Sequence, residues 1–200
     1  HSINLARFYV PDLPVDTPTK THLVDLSDQY YAESLRLNPN DASLWREWAE
    51  FKLTYRGDPG GALETLRVSV QLDDRFIPSY LTMSDAYLAQ GDLDRAVQSI
   101  DRALALQPDL PEAVSRQAFV YFQQGRFEES IAAYMKYIQL APDAPNVWEA
   151  HKNIALLREQ LGDVAGALQA AQAALARAPQ DVQPQLADWI DQLRARLNTP

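Results

Sequence analysis

Residues capable of chemistry are few in this chain, and their spacing does not bring them together. Three histidines, His1, His22 and His151, stand far apart, and no pair has the spacing of metal ligands on one element. His151 and Glu149 are two positions apart, and residues so spaced do not share a helix face, so they are not placed for general acid-base work. Cysteine is absent. That removes disulfides, zinc-thiolate sites and thiol catalysis, and it leaves the redox compartment open. Gly57-Asp58-Pro59-Gly60-Gly61 has the glycine content of a phosphate loop, but no Lys-Ser or Lys-Thr follows it, and a turn accounts for it. No catalytic residue, metal or cofactor is expected. Trp45, Trp48, Trp148 and Trp189 are the remaining candidates. Two readings stand for them: packing between helices, or a surface on which a ligand stacks.

The bulk properties narrow the classes further. The 200 residues carry a formal net charge of −9, and 46% of them are hydrophobic. That apolar content suits a folded protein. An acidic surface repels phosphate backbones, so no nucleic-acid partner is expected. No apolar run approaches the ~20 residues that span a bilayer, so no membrane insertion of this segment is expected either. The chain opens on His1 without a signal peptide, and Ile3 to Tyr9 reads like the middle of a repeat, so a fragment of a longer protein is expected.

The elements that position the side chains announce themselves by repetition. Gly-Asp-x-x-x-Ala occurs as Gly57-Asp58…Ala62, Gly91-Asp92…Ala96 and Gly162-Asp163…Ala167, with a looser copy at Gly125-Arg126…Ser130. Gly57, Gly91 and Gly125 are spaced by 34 residues, and Gly162 follows Gly125 by 37. Pro39, Pro108, Pro142 and Pro179 close most units. A fixed period of this length with this pattern resembles the tetratricopeptide repeat (TPR) superfamily, in which each unit is a pair of antiparallel helices. Small residues let the two helices approach, Gly ends the first helix in a left-handed conformation, and the following Asp caps the second.

The expected fold is all-α: a right-handed superhelical solenoid of about five helix-turn-helix repeats with a C-terminal capping helix. The array covers residues 1–181, with units at 1–41, 42–76, 77–110, 111–144 and 145–181, and the capping helix and tail occupy 182–200. The unit at 77–110 is the clearest, with Tyr80, Ser84, Tyr87, Gly91, Ala96, Ile100, Ala103 and Pro108 in phase. In the next, Tyr137 replaces the usual small residue, so the packing there must open or fill differently. In the unit at 42–76 the glycine falls one residue late, which places one extra residue in the first helix or the turn. The unit at 145–181 has three extra residues, close to one helical turn, and a lengthened first helix would keep both faces. Three prolines in the first unit, Pro11, Pro14 and Pro18, predict an expanded loop at 10–20, with Leu13 and Val15 tucked against the repeat and a helix from Leu23 to Leu37 beyond it. Leu186, Trp189, Ile190, Leu193 and Leu197 form one stripe of the last helix.

In tetratricopeptide folds, one face of each first helix lines a concave groove. The resemblance carries that role to Leu81, Asp85 and Leu88, to Glu112, Ser115, Phe119 and Phe122, and to Lys152, Leu156 and Glu159; in the shifted unit it falls on Glu50 or Phe51. A partner-binding groove is thus expected at Leu81, Asp85, Leu88, Ser115, Phe119, Phe122, Lys152 and Leu156, with the two Phe rings at its centre. Aromatics in a concavity suit a peptide or helix from a protein partner, and the plainer reading is contact with the neighbouring repeat. One subgroup grips a C-terminal carboxylate with Lys and Asn where this chain has Leu81, Asp85, Ser115 and Phe119, so chaperone-tail binding of that kind is not expected. A non-catalytic protein-interaction scaffold is the first functional expectation. A narrower resemblance gives the alternative. His1-Ser2-Ile3-Asn4-Leu5-Ala6-Arg7-Phe8-Tyr9, Leu44-Trp45-Arg46-Glu47-Trp48-Ala49 and Leu72-Asp73-Asp74-Arg75-Phe76 look like segments of the C-terminal repeat regions of bacterial O-antigen ligase and polymerase-like membrane proteins. It implies an accessory domain attached to an inner-membrane glycan enzyme, recruiting partners or binding a saccharide, with no catalytic residue in this segment.

Overall fold

The computed structural model describes residues 17–198, with side chains described from residue 21. The readings made on Asn4-Leu5-Ala6, Tyr9, Leu13, Val15 and the loop as far as residue 16 lie outside the described residues. Among the described residues the regular structure is helical. In chain order it comprises α1 Thr17–Leu37, α2 Ala42–Phe51, α3 Pro59–Leu72, α4 Ile77–Ala89, α5 Leu93–Leu106, α6 Pro111–Gln123, α7 Phe127–Leu140, α8 Val147–Gln160, α9 Val164–Leu175 and α10 Gln183–Leu197. Two compact units divide at Leu106 and Gln107. In the first, α2 pairs with α3 and α4 with α5; in the second, α6 pairs with α7 and α8 with α9, and α10 packs on α9. α1 begins at Thr17 rather than at the expected Leu23, so residues 17–20 are helical and not loop. Pro18 falls in the first turn, where a missing N–H leaves no helical hydrogen bond unmade.

The pairing rests on small residues at matching places. Ala49, Ser84, Ala118 and Ala155 in the first helices are fully buried, and so are Ala62, Ala96, Ser130 and Ala167 in the second. The Ser130 hydroxyl donates to the Ala118 carbonyl at 2.7 Å, which shows how near the α6 and α7 backbones come. A larger side chain at either position has no space, and overpacking of this kind costs about 1–3 kcal/mol.

α4, α6 and α8 end on the same hydrogen-bonded cap. Gly91 has φ +75°; its N–H donates to the Leu88 carbonyl and the Asp92 N–H to the Tyr87 carbonyl. Gly125 and Gly162 repeat the arrangement. The Asp that follows then caps the next helix: Asp58, Asp92 and Asp163 accept from the backbone N–H of Gly61, Arg95 and Gly166 at 2.8, 3.1 and 2.8 Å. Arg126, in the looser copy, has no acceptor to offer; its Nε donates to Glu129 at 2.7 Å instead. A Cβ at Gly91 meets open space but a disfavoured backbone conformation. Gly91→Ala is therefore expected to destabilise the first unit by about 1 kcal/mol, measured by urea unfolding.

Both irregular units resolve into specific local geometry. α2 runs into a π-helical turn at Lys52–Arg56, and this turn holds the extra residue of the unit at 42–76. The cap hydrogen bond registers it: the Asp58 N–H reaches back six residues to Lys52, where Asp92 and Asp163 reach back five. In the unit at 145–181 the extra residues go mainly to a loop. α8 has 14 residues against 13 in α4 and α6, while residues 141–146 separate α7 from α8 where four residues, 107–110, separate α5 from α6. The expected lengthening of the first helix by a whole turn is thus corrected to one residue, because Pro142 and Pro145 bias the residues before them away from helix. Tyr137, the oversized residue one unit earlier, is buried at 5% exposure, and its hydroxyl donates to Asn146 Oδ1 in that longer loop at 2.6 Å. Two sequence anomalies therefore compensate each other. Tyr137→Phe should cost about 0.5–1.5 kcal/mol in an unfolding titration, toward the low end because exposed Asn146 turns to water.

Candidate functional site

The expected groove residues fall on one side of each first helix. Leu81, Asp85 and Leu88 on α4 and Ser115, Phe119 and Phe122 on α6 follow i, i+4 and i+7 spacing, and Lys152 and Leu156 on α8 follow i and i+4. At about 100° per residue each set forms a narrow stripe, no more than roughly 60° wide. The buried residues of the same helices, Ser79, Tyr80 and Ala86 on α4, Ala113, Val114 and Val120 on α6, and Ala150, Ile154 and Leu157 on α8, lie on the other side. No stripe residue is buried, and Phe119 and Leu156 are each 42% exposed. The α4 stripe belongs to the first unit, and the α6 and α8 stripes to the second.

Neighbouring contacts fix several of these side chains. Phe122 tilts against Phe127 at the start of α7, with ring centroids 6.3 Å apart. The Lys152 ammonium stands 5.1 Å from the centre of the Trp148 ring, an arrangement that holds the cation at the surface. Glu159 departs from the groove reading. Its Oε2 accepts from Trp189 Nε1 at 2.9 Å, and its Oε1 pairs with Arg196, so this carboxylate fastens α10. In the first unit Phe51 is buried against Tyr31 and Tyr55 and Glu50 is exposed, which settles the surface residue there as Glu50.

The tryptophans take structural partners. Trp45 Nε1 donates to the Pro39 carbonyl at 2.8 Å, and Trp48 Nε1 to Asp28 at 2.6 Å. Trp148 and Trp189 pack against Ala174, Ala178 and Leu186. Trp48 also carries the Lys52 ammonium 3.9 Å above its ring. Burial pushes the Lys52 pKa down, opposed by Asp28, Asp58 and Glu64, and Nζ donates to Thr65 Oγ1 at 2.8 Å. His151 is half-buried, and burial, with Arg177 beside it, lowers its pKa. Burial raises the Tyr134 and Tyr137 hydroxyls, against hydrogen bonds to Asn153 and Asn146. Among the described residues no group of His, Asp and Glu side chains converges as a metal site, and no helix is long and apolar enough to cross a membrane. Each unit thus offers its own stripe: Leu81 and Leu88 with the acidic Asp85 on α4 in the first, and Ser115, Phe119, Phe122 and Leu156 with the basic Lys152 on α6 and α8 in the second.

Sequence reasoning missed the Glu159 clasp and the π turn. The late glycine signalled the second; nothing local in the sequence signals the first, because its partners are 30 and 37 residues away.

Known proteins give the class. Two models of the tetratricopeptide repeat match, one over residues 84–152 and one over residues 143–182. With the helix pairs described above, they establish that the chain belongs to the tetratricopeptide-repeat superfamily and is an all-α helical-repeat solenoid. It is 35% identical over 108 residues to the CTR9 homolog protein of Arabidopsis thaliana, covering 54% of this chain and 10% of that protein. Its fold is similar to that of MamA, with a TM-score of 0.70 and 23% identity over 82% of this chain and 96% of MamA. It is also similar to YrrB, a TPR protein with an unusual peptide-binding site, with a TM-score of 0.63 and 15% identity over 74% of this chain and 75% of YrrB. The chain spans 10% to 29% of the length of the curated relatives it matches. These findings lend no support to the narrower resemblance to O-antigen ligase and polymerase-like proteins.

Proposed function

We propose that this chain is a non-catalytic protein-interaction scaffold that seats an extended peptide or a helix on the stripe of the second unit formed by Ser115, Phe119, Phe122, Lys152 and Leu156, and that Leu81, Asp85 and Leu88 form a separate contact surface on the first unit. The observation that carries this reading is the placement of Phe119 and Leu156. Both are 42% exposed on the side of their helices turned away from the core, where packing alone gives no reason for large apolar side chains. Aromatic and aliphatic anchors of this kind supply most of the binding energy in protein interfaces. Lys152 adds a positive charge beside these anchors that orients a partner. Membership in the repeat superfamily supports an interaction role, and the peptide-binding site of YrrB supports a peptide as the ligand class.

The test is a peptide-library selection on the immobilised protein, with Phe119→Asp as the second bait. Peptides that bind the wild type and lose affinity for the variant support the proposal. Peptides that bind both equally would place recognition elsewhere and sink it.

A further inference from the structure

A second surface of α8 holds a pocket that the proposed groove does not use. It has a volume of about 290 Å³ and lies between α7, α8 and α9. Met135 and Ile138 of α7 and Ile154 of α8 give it an apolar wall, and Ala170 and Ala173 of α9 leave its floor open. Its polar members are His151, Arg158 and two glutamines, and none of its lining residues is acidic. That is notable in a chain with a net charge of −9. On α8 the pocket residues centre roughly 150° around the helix from Lys152 and Leu156, so this is a different face from the stripe.

Two features point to the chemistry of a ligand. The first is His151, whose Nε2 is buried without a hydrogen-bond partner. A buried polar atom left so costs about 1–3 kcal/mol, and a ligand oxygen that meets it relieves that deficit. His151 is itself one of the residues that line the pocket. The second is a positive charge in the pocket lining, Arg158. Arg158 is held at the pocket edge by Nη1 donating to the Gly166 carbonyl at 3.2 Å and by Nε 3.9 Å from Asp163, which engages two of its three nitrogens. A volume near the lower end of ligand pockets, roughly 300–1,000 Å³, admits only a small body.

We propose that this pocket binds a carboxylate carried on a short aliphatic body, with the aliphatic part against Met135, Ile138 and Ile154 and the carboxylate at His151 and Arg158. Such a group comes either from a free aliphatic acid or from the C-terminal leucine of a peptide. The probes are octanoate for the first source, N-acetyl-leucine for the second, and 1-octanol as the neutral control. Binding is read by NMR from the Met135 and Ile138 methyl signals and the His151 ring signals of the full chain. Saturable shifts with either carboxylate, at least tenfold tighter than with 1-octanol, support the site, and the carboxylate that binds tighter identifies the source. His151→Phe should lower carboxylate affinity at least tenfold and leave 1-octanol unchanged. Ala173→Leu fills the floor and should abolish binding while circular dichroism stays as wild type. Phe119→Asp should bind octanoate normally, which separates this site from the peptide stripe. No shift with either carboxylate, or 1-octanol binding as tightly, overturns the proposal.

Discussion

Phe119→Asp is expected to weaken peptide binding by at least about 30-fold while leaving the fold intact. The two halves of this expectation have separate causes. Phe119 is 42% exposed, on the side of α6 away from Ala113, Val114 and Val120, so its loss removes little packing, and surface changes of this kind stay within about 0.5 kcal/mol of wild type. An interface anchor is worth about 2 kcal/mol or more, and an aspartate in its place adds an unpaired charge to an apolar contact. Adding Phe122→Asp should deepen the loss, but that ring also packs on Phe127, 6.3 Å away, so the double variant will pay in stability as well. Isothermal titration with a selected peptide, beside circular dichroism of each variant, separates the two effects. Unchanged affinity with unchanged helicity would mean that Phe119 touches no partner.

Leu157→Ala should do the reverse, costing about 2–5 kcal/mol of stability. Leu157 is fully buried, among the largest side chains with no exposure, and it lies one residue beyond Leu156, about 100° further round α8. Truncation removes its apolar contacts and leaves a cavity, because α8 is held by α7 and α9 and cannot collapse far. Domains are stable by only about 5–15 kcal/mol, so the second unit should unfold at markedly lower urea concentration. Leu156→Ala, one residue away, should shift that midpoint little and weaken peptide binding instead. The contrast between adjacent residues is a sharp check on the helix phase.

That phase was legible because it is written several times. Ala49, Ser84, Ala118 and Ala155 recur in register with Ala62, Ala96, Ser130 and Ala167, and any one could be coincidence where four agree on the period. The caps were legible too, since Gly91 and Asp92 have single-residue physical reasons. The late Gly57 showed that one residue was extra, but not that a π turn would hold it, because a turn, a bulge and a lengthened helix all shift a glycine by one. The same limit explains the loop at residues 141–146: a three-residue excess fits a helical turn, and the preference of residues before Pro142 and Pro145 for extended backbone sent most of it to the loop. Candidate site residues were legible as a face, not as a ligand. Glu159 shared the phase of Lys152 and Leu156, yet Trp189 and Arg196 engage it, and contacts that distant leave no periodic trace. The His151 pocket was invisible for a similar reason, since three helices build it and the histidine carries no motif.

The scaffold reading requires that a partner touch the stripe around Phe119. The most direct measurement places a photo-crosslinking amino acid at position 119 and, separately, at Ala132, an exposed residue of α7 in the same unit. Irradiated with a selected peptide, the protein should give a crosslinked product from position 119 and none from position 132. Equal crosslinking at both positions, or crosslinking at 132 alone, would contradict it.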